Sequence, residues 1–86
     1  MIIEKFFGTW CNPCKALNPI FDELKQEYPD IEFRNLDVDE NHAYAVKNKI
    51  RSVPNVIFKS DNGEELDRII GLSKKEEYVT KIKNLL

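Results

Sequence analysis

Apolar residues dominate the beginning of the chain. Residues 2–7 form a short, mostly apolar run that stops at Gly8 and Thr9. A run of this length that ends at turn residues predicts a β-strand leading into a turn. Glu4 and Lys5 interrupt the apolar character of this strand.

The next segment, from about Asn12 to Tyr28, carries apolar residues at three- and four-residue spacing. This is the period of one helix face, so an α-helix is predicted here. Pro19 predicts a kink within it, because proline lacks an amide hydrogen and its ring clashes with the carbonyl four residues back. Pro29 ends the helix. The apolar face consists of Ala16, Leu17, Ile20, Phe21, Leu24 and Tyr28.

A second strand is predicted from Ile31 to Asp37, where apolar and polar residues alternate imperfectly. Its inward side chains are expected to be Ile31, Phe33 and, to a lesser extent, Asn35. Because a long helix separates it from the first strand, the two strands are predicted to be parallel, with a right-handed crossover.

A short helix is predicted next. Asp39 is placed to cap it, and the helix runs to about Lys49. The apolar spacing predicts that Ala43, Val46 and Ile50 face inward.

The last third of the chain predicts a hairpin and a final helix. Residues 53–59 and 65–70 form antiparallel strands, because residues 61–63 are Asp-Asn-Gly, which tolerate the positive φ of a tight turn. Gly71 breaks the second strand. Residues 73–76 have capping-box spacing at the start of the helix. The apolar stripe of this helix consists of Tyr78, Val79, Ile82, Leu85 and Leu86.

These elements follow the order β-α-β-α-β-β-α, which predicts an α/β fold with a four-stranded mixed sheet and three flanking helices. A chain of 86 residues has room for one modest core, so residues 1–86 are expected to form a single domain.

The charge pattern excludes some functions. The 13 basic and 15 acidic residues are scattered along the chain, which gives a net charge of −2. They form no basic stripe that could neutralise nucleic-acid phosphates. No apolar run approaches the roughly 20 residues that span a bilayer. The first residues also lack the pattern of a secretory signal, so we expect a cytoplasmic protein that binds neither nucleic acid nor membranes.

Candidate chemistry is concentrated at Cys11 and Cys14, where the first strand gives way to the first helix. Unpaired amides at a helix N-terminus favour a thiolate, which makes Cys11 the expected nucleophile. Cys14, one turn further on, is the expected resolving thiol, and Pro13 restricts the loop between them. A Cys-x-x-Cys pair within a βαβ unit is a redox signature.

Two other interpretations of the cysteines carry less weight. The first is a structural disulfide, but a bond between cysteines three positions apart closes too small a loop to restrain the unfolded chain much. A zinc site needs further ligands, but the chain has no third cysteine and its one histidine, His42, lies in another element. We therefore expect no metal and treat His42 as a surface residue.

The residues around the cysteines resemble the active-site segment of the thioredoxin family. Residues 6–15 read Phe-Phe-Gly-Thr-Trp-Cys-Asn-Pro-Cys-Lys, and the likeness runs over essentially the whole chain. The other matching features are Pro19, residues 36–39, residues 50–54, Gly63 and Gly71.

This resemblance implies a cis peptide bond before Pro54 and a Val53 backbone that pairs with an extended substrate peptide. It also implies a substrate surface made of Trp10, Val53, Pro54, Gly71 and Leu72.

The chain departs from the family pattern in three ways. Thioredoxins usually have a strand and a helix before the segment that starts here at Ile2, so this chain is trimmed to the size of a glutaredoxin. Asn12 stands where thioredoxins usually have glycine. Lys5 stands where they have a buried aspartate that assists proton transfer from the resolving cysteine. Lys5, Asn12 and Pro13 are therefore expected to support the active site.

The resemblance predicts a monomeric protein-disulfide reductase that is recharged by a reductase and holds no cofactor. The first alternative is a glutaredoxin-like enzyme recharged by glutathione, which the short length favours, whereas Trp10 and the lack of a Cys-Pro-Tyr-Cys sequence oppose it. The second is a non-catalytic binding module with the same fold.

Overall fold

Seven elements follow one another along residues 1–86, all of which the computed structural model describes, and their order confirms the predicted one. The elements are β1 (Ile2–Phe7), α1 (Asn12–Glu27), β2 (Glu32–Asp37), α2 (His42–Lys47), β3 (Asn55–Lys59), β4 (Glu65–Ile70) and α3 (Lys75–Leu85).

The four strands form one mixed sheet in the order β2-β1-β3-β4. β1 runs parallel to β2 and antiparallel to β3, and β4 pairs antiparallel with β3. The prediction of an α/β fold with a four-stranded mixed sheet and three helices is confirmed. No helix of the structure combines the length and the apolar character needed to cross a membrane.

Both faces of the sheet are covered by helices. The larger core cluster joins α1 and α3 to one face, and the smaller cluster joins α2 to the other. Because side chains alternate along a strand, Ile3 and Lys5 of β1 point to the larger cluster while Glu4 and Phe6 point to the smaller one. The larger cluster consists of Ile3, Leu17, Phe21, Leu24, Ile31, Val56, Phe58, Ile69, Tyr78 and Ile82.

Helix α1 buries one narrow stripe, and its N-terminus is set by Cys11, which is the N-cap. Pro13 lies in the first turn, where its missing amide hydrogen leaves no bond unmade. The helix passes through Pro19 without ending and stops one residue before Tyr28. The buried residues of the helix are Cys14, Leu17, Phe21 and Leu24, at spacings of three and four.

The prediction for α2 was wrong in its cap and in its inward face. Asn41, not Asp39, precedes the helix, and Ala45 is its buried residue, whereas Ala43 and Val46 are exposed. Tyr44 accounts for this different orientation of the helix, because its hydroxyl donates to the buried carboxylate of Glu4 in β1.

Two smaller predictions were also wrong. Helix α3 begins at Lys75 with no side-chain cap, so Ser73 does not form the predicted capping box. In β2, Asn35 is exposed, whereas Leu36 packs partly buried against the α2 face. The alternation of apolar and polar residues in β2 gave the wrong burial because helices cover both faces of the sheet. Side chains on either face can therefore be buried.

Candidate active site

The turn between β1 and α1 places the two cysteines at the C-terminal end of the central strand β1. The amide of Cys11 donates to the carbonyl of Gly8 over 3.1 Å, which closes the turn. The amide of Cys14 donates to the Sγ atom of Cys11 over 3.2 Å. The first sulfur therefore caps the helix, where the unpaired amides favour negative charge.

Cys11 and Cys14 form a disulfide, with their Cα atoms 5.3 Å apart. Both residues are buried in this state, with 5% and 3% of their surface exposed. Cys11 is therefore covered in the oxidised form. Neighbouring segments cover it, because the loop before β3 packs directly against the first sulfur.

That loop is the segment around Val53 and Pro54. The carbonyl oxygen of Val53 lies 3.7 Å from the Sγ atom of Cys11. The peptide bond between Val53 and Pro54 is cis. The carbonyl of Pro54 accepts from the amide of Gly71 over 2.8 Å, so the structure brings these three residues together beside Cys11. Gly71 has a φ of +86°, a conformation that glycine adopts at little cost.

Trp10 stands beside the disulfide with 65% of its surface exposed. Its ring lies over Gly8, where an added Cβ would come within 2.6 Å of the indole. The indole N–H donates to a carboxylate oxygen of Asp39 over 3.3 Å. These contacts hold a large apolar surface in place beside Cys11.

A groove of about 230 Å³ runs from Trp10 towards α2. It is partly apolar and has charged or titratable groups along its edge. Its lining includes Trp10, Val53, Val46, Ile50, Asp39 and His42. His42, interpreted from the sequence as a surface residue, is exposed and belongs to this groove.

The other predicted substrate residues differ in exposure. Pro54 is buried, and Val53 and Gly71 are partly buried. Leu72 is exposed, but it lines a different hollow, together with Ala16 and Ile20 of α1. Asn12 and Pro13, between the cysteines, are both exposed.

Lys5 lies on the α1 side of the sheet with only 4% of its surface exposed. Its Nζ atom donates to Oδ1 of Asn18 over 2.7 Å and sits 5.0 Å from the ring centre of Phe21. Burial, followed by the charge of Lys25, lowers the pKa of Lys5, and Asp22 opposes this shift. Lys5 is thus paired with an amide and a ring, rather than with a carboxylate.

The comparison with known proteins decides the family. The profile of the family described as Thioredoxin matches residues 1–84. A thioredoxin of Mycoplasmoides gallisepticum is 41% identical over 76 residues, covering 88% of this chain and 75% of that protein. This chain belongs to the thioredoxin family.

Solved thioredoxin structures agree with this assignment. The reduced Schistosoma mansoni thioredoxin pre-protein superposes with a TM-score of 0.90 at 35% identity, covering 99% of this chain and 78% of that one. Thioredoxin 1 of Thermosipho africanus gives a TM-score of 0.87 at 28% identity, with coverages of 99% and 93%. With thioredoxin relatives and its Cys11–Cys14 disulfide, the chain is a thiol–disulfide oxidoreductase.

Three residues of this thioredoxin site were not found from the sequence. The sequence assigns Gly8 to a turn and Asp39 to a helix cap, both within segments that match the family but without a role at the site, and it assigns nothing to Asn18. Each acts through a contact with another site residue: Trp10 for the first two and Lys5 for the third. The spacing of Asn18, exposed on α1 four residues after Cys14, was the one signal available.

Proposed function

We propose that this protein is a protein-disulfide reductase in which Cys11 is the nucleophile and Cys14 the resolving thiol. The observation that carries the proposal is the position of the first sulfur, at the N-terminus of α1 and accepting the amide of Cys14. The amides of the first helical turn have no partner within the helix, so their partial positive charge stabilises a thiolate formed at this position.

The reaction runs in two exchanges. The Cys11 thiolate attacks one sulfur of a substrate disulfide, forms a mixed disulfide and releases the other substrate sulfur as a thiolate that takes up a proton. The thiolate of Cys14 then attacks Cys11 and frees the second substrate sulfur. The substrate gains two electrons, and the protein is left with the Cys11–Cys14 disulfide.

A reductase is the proposed electron donor that restores the dithiol, so the protein serves electron transport without a cofactor of its own. Because both cysteines belong to one chain, a monomer suffices, and residues 1–86 act as one thioredoxin-like domain. The two cysteines form this one pair and no structural disulfide, which favours a reducing compartment and hence the cytoplasm.

The proposed substrate surface surrounds the first sulfur. Trp10 offers apolar contact, and the Val53 backbone next to Cys11 offers hydrogen bonds to an extended peptide. Asn12, Pro13 and Lys5 support the pair of cysteines. Pro54 and Gly71 hold the Val53 loop, and the exposed side chain of Leu72 extends the surface. Protein substrates with an accessible disulfide fit this arrangement.

Trapping tests the roles of the two sulfurs. Cys14→Ser should accumulate a mixed disulfide with a substrate protein whose single cysteine carries a thionitrobenzoate group, because Cys11 displaces thionitrobenzoate and the second exchange cannot occur. Cys11→Ser should trap several-fold less. Mass spectrometry of the non-reduced adducts measures both. Preferential trapping through Cys14 would overturn the assignment.

A further inference from the structure

Lys5 and Cys14 face the same cavity beneath the active site. The cavity holds about 550 Å³ between β1 and α1, and its wall includes both residues. The Val53 carbonyl, by contrast, lies against Sγ of Cys11 and is not part of this cavity. Whatever charge Cys14 carries in the reduced protein is therefore exposed to the charge of Lys5.

Positive charge predominates around this cavity. The titratable groups on its wall besides Lys5 and Cys14 are Lys15, Asp22 and Lys25, all from α1, while β2 contributes the neutral Asn35. Lys5 forms none of the eight salt bridges of the structure. Its one hydrogen bond goes to Asn18, so two of its three N–H donors have no protein partner.

We propose that Lys5 is a positioning residue whose ammonium favours ionisation of the Cys14 thiol, and so stabilises the thiolate that carries out the second exchange. This inference rests on the proposed role of Cys14 as the resolving thiol. A buried ammonium without a carboxylate partner is costly, and a thiolate on the same cavity wall offsets that cost. Asn18 fixes the Nζ atom from one side and the ring of Phe21 favours its charged form.

The ammonium acts in the second exchange without being consumed. Cys14 loses its thiol proton to solvent through the cavity, and the thiolate pairs with Lys5. A bond then forms between the sulfurs of Cys14 and Cys11, the bond from Cys11 to the substrate sulfur breaks, and the leaving sulfur takes up a proton. One proton is released and one is bound, so the step balances.

The interaction of Lys5 with Cys14 also shifts the equilibrium between the dithiol and the disulfide. An ammonium that stabilises a thiolate stabilises the dithiol form relative to the disulfide, which makes the disulfide a stronger oxidant. A tenfold shift in the exchange equilibrium constant corresponds to about 30 mV for this two-electron couple.

The test compares Lys5→Met with Lys5→Arg, which keeps the charge, and with Lys83→Met, which removes an exposed charge from α3. In a Cys11→Ser background a single thiol titrates, and its 13Cβ NMR shift follows ionisation. We expect Cys14 to titrate below the ordinary pKa of about 8.5. Lys5→Met should lower its acid dissociation constant about tenfold, whereas the two other variants should leave it within about threefold.

Equilibration of the cysteine pair with a glutathione redox buffer gives the second readout. Lys5→Met should favour the disulfide about tenfold more than wild type does, and Lys5→Arg should restore the wild-type value. The inference is overturned if Lys5→Met leaves both readouts unchanged, or if Cys14 of otherwise unchanged protein titrates at or above about 8.5. The latter needs no Lys5 variant, so it decides the matter even if Lys5→Met fails to fold.

Failure here leaves the proposed function standing, because the trapping of substrate on Cys11 in Cys14→Ser tests the first exchange, in which Lys5 has no proposed part.

Discussion

Glu4 is a buried charge on β1 whose two carboxylate oxygens are both bound by neighbouring side chains. Its carboxylate is fully buried, pairs with Lys59 over 2.7 Å and accepts from the Tyr44 hydroxyl at 2.7 Å. Lys59 in turn donates to the Tyr44 oxygen and to Asn48, each over 2.9 Å. Tyr44 therefore connects β1, β3 and α2 through one hydroxyl group.

Removing that hydroxyl tests its contribution to stability. Tyr44→Phe should lower the free energy of unfolding by about 1–3 kcal/mol, because Glu4 and Lys59 each lose a buried partner. Tyr28→Phe is the matched control, since the Tyr28 hydroxyl forms no hydrogen bond to another protein group and its ring is partly buried. Urea denaturation measures both. Equal losses in the two variants would contradict this account of the network.

Leu72 offers a test of the substrate surface, with Leu66 on β4 as a control of similar exposure, 49% against 44%. Leu72→Ser should raise the KM for a protein disulfide by roughly threefold to tenfold, the effect of losing about 1 kcal/mol of apolar contact. Reduction of a small aromatic disulfide should not change. The surface is assigned wrongly if Leu66→Ser has the same effect as Leu72→Ser.

Single residues were predicted well from the sequence only where local rules act. Cys11 could be placed at the start of a helix because the apolar run of the first strand ends just before it and the three- and four-residue spacing of the helix begins just after it. Glu4 and Lys5 were interpreted as interruptions of an apolar run, since their partners on β3, α2 and α1 are 13 to 55 positions away along the chain. No local pattern shows that two adjacent charges face opposite, covered sides of a sheet.

At the scale of elements, Asp67 of β4 and Lys81 of α3 join the last two elements over 2.8 Å. The hydrogen bond from Lys81, with a second from the amide of Arg68, lowers the pKa of Asp67. A carboxyl with a lowered pKa stabilises the folded state above its unfolded pKa of about 3.9, and that contribution is lost as pH falls towards the folded value.

Asp67→Asn should therefore destabilise the protein at pH 7 by less than about 1 kcal/mol, because both side chains are partly exposed. The difference from wild type should shrink as pH is lowered through 4. Thermal denaturation between pH 3 and pH 7 measures it, with Asp30→Asn, at an exposed aspartate in the turn after α1 that forms no ion pair, as the control. A difference that stays constant across this range would refute the ion pair as its source.

The elements themselves followed from the sequence to different degrees. Helix α1 was predicted closely because its buried stripe repeats over about three turns and the cap and proline signals agree with it. Helix α2 spans only six residues, too few for a period to be established, so Tyr44 and Ala45 decide its orientation through tertiary contacts. Helix α3 shows that capping-box spacing alone does not produce a side-chain cap.

At the scale of the whole molecule, the sheet brings together segments that are distant along the chain. Cys11 meets Val53, 42 positions away, and Pro54 meets Gly71. The parallel β1 and β2 and the antiparallel β3 and β4 could be predicted, because a long helical crossover and a tight hairpin each favour one direction. The pairing of β1 with β3, which joins the two halves, could not. The site around the disulfide could be predicted only through the family likeness, since contacts between loops leave no periodic signal.

The central claim is that the Cys11–Cys14 pair reduces protein disulfides by repeated exchange. Insulin reduction tests it most directly, with the protein recharged either by NADPH and thioredoxin reductase or by glutathione. We expect many turnovers with the reductase, far fewer with glutathione, and none for the Cys11→Ser, Cys14→Ser double variant. Faster recharging by glutathione would favour the glutaredoxin-like alternative. Wild-type activity no greater than that of the double variant would contradict the account and indicate a binding module.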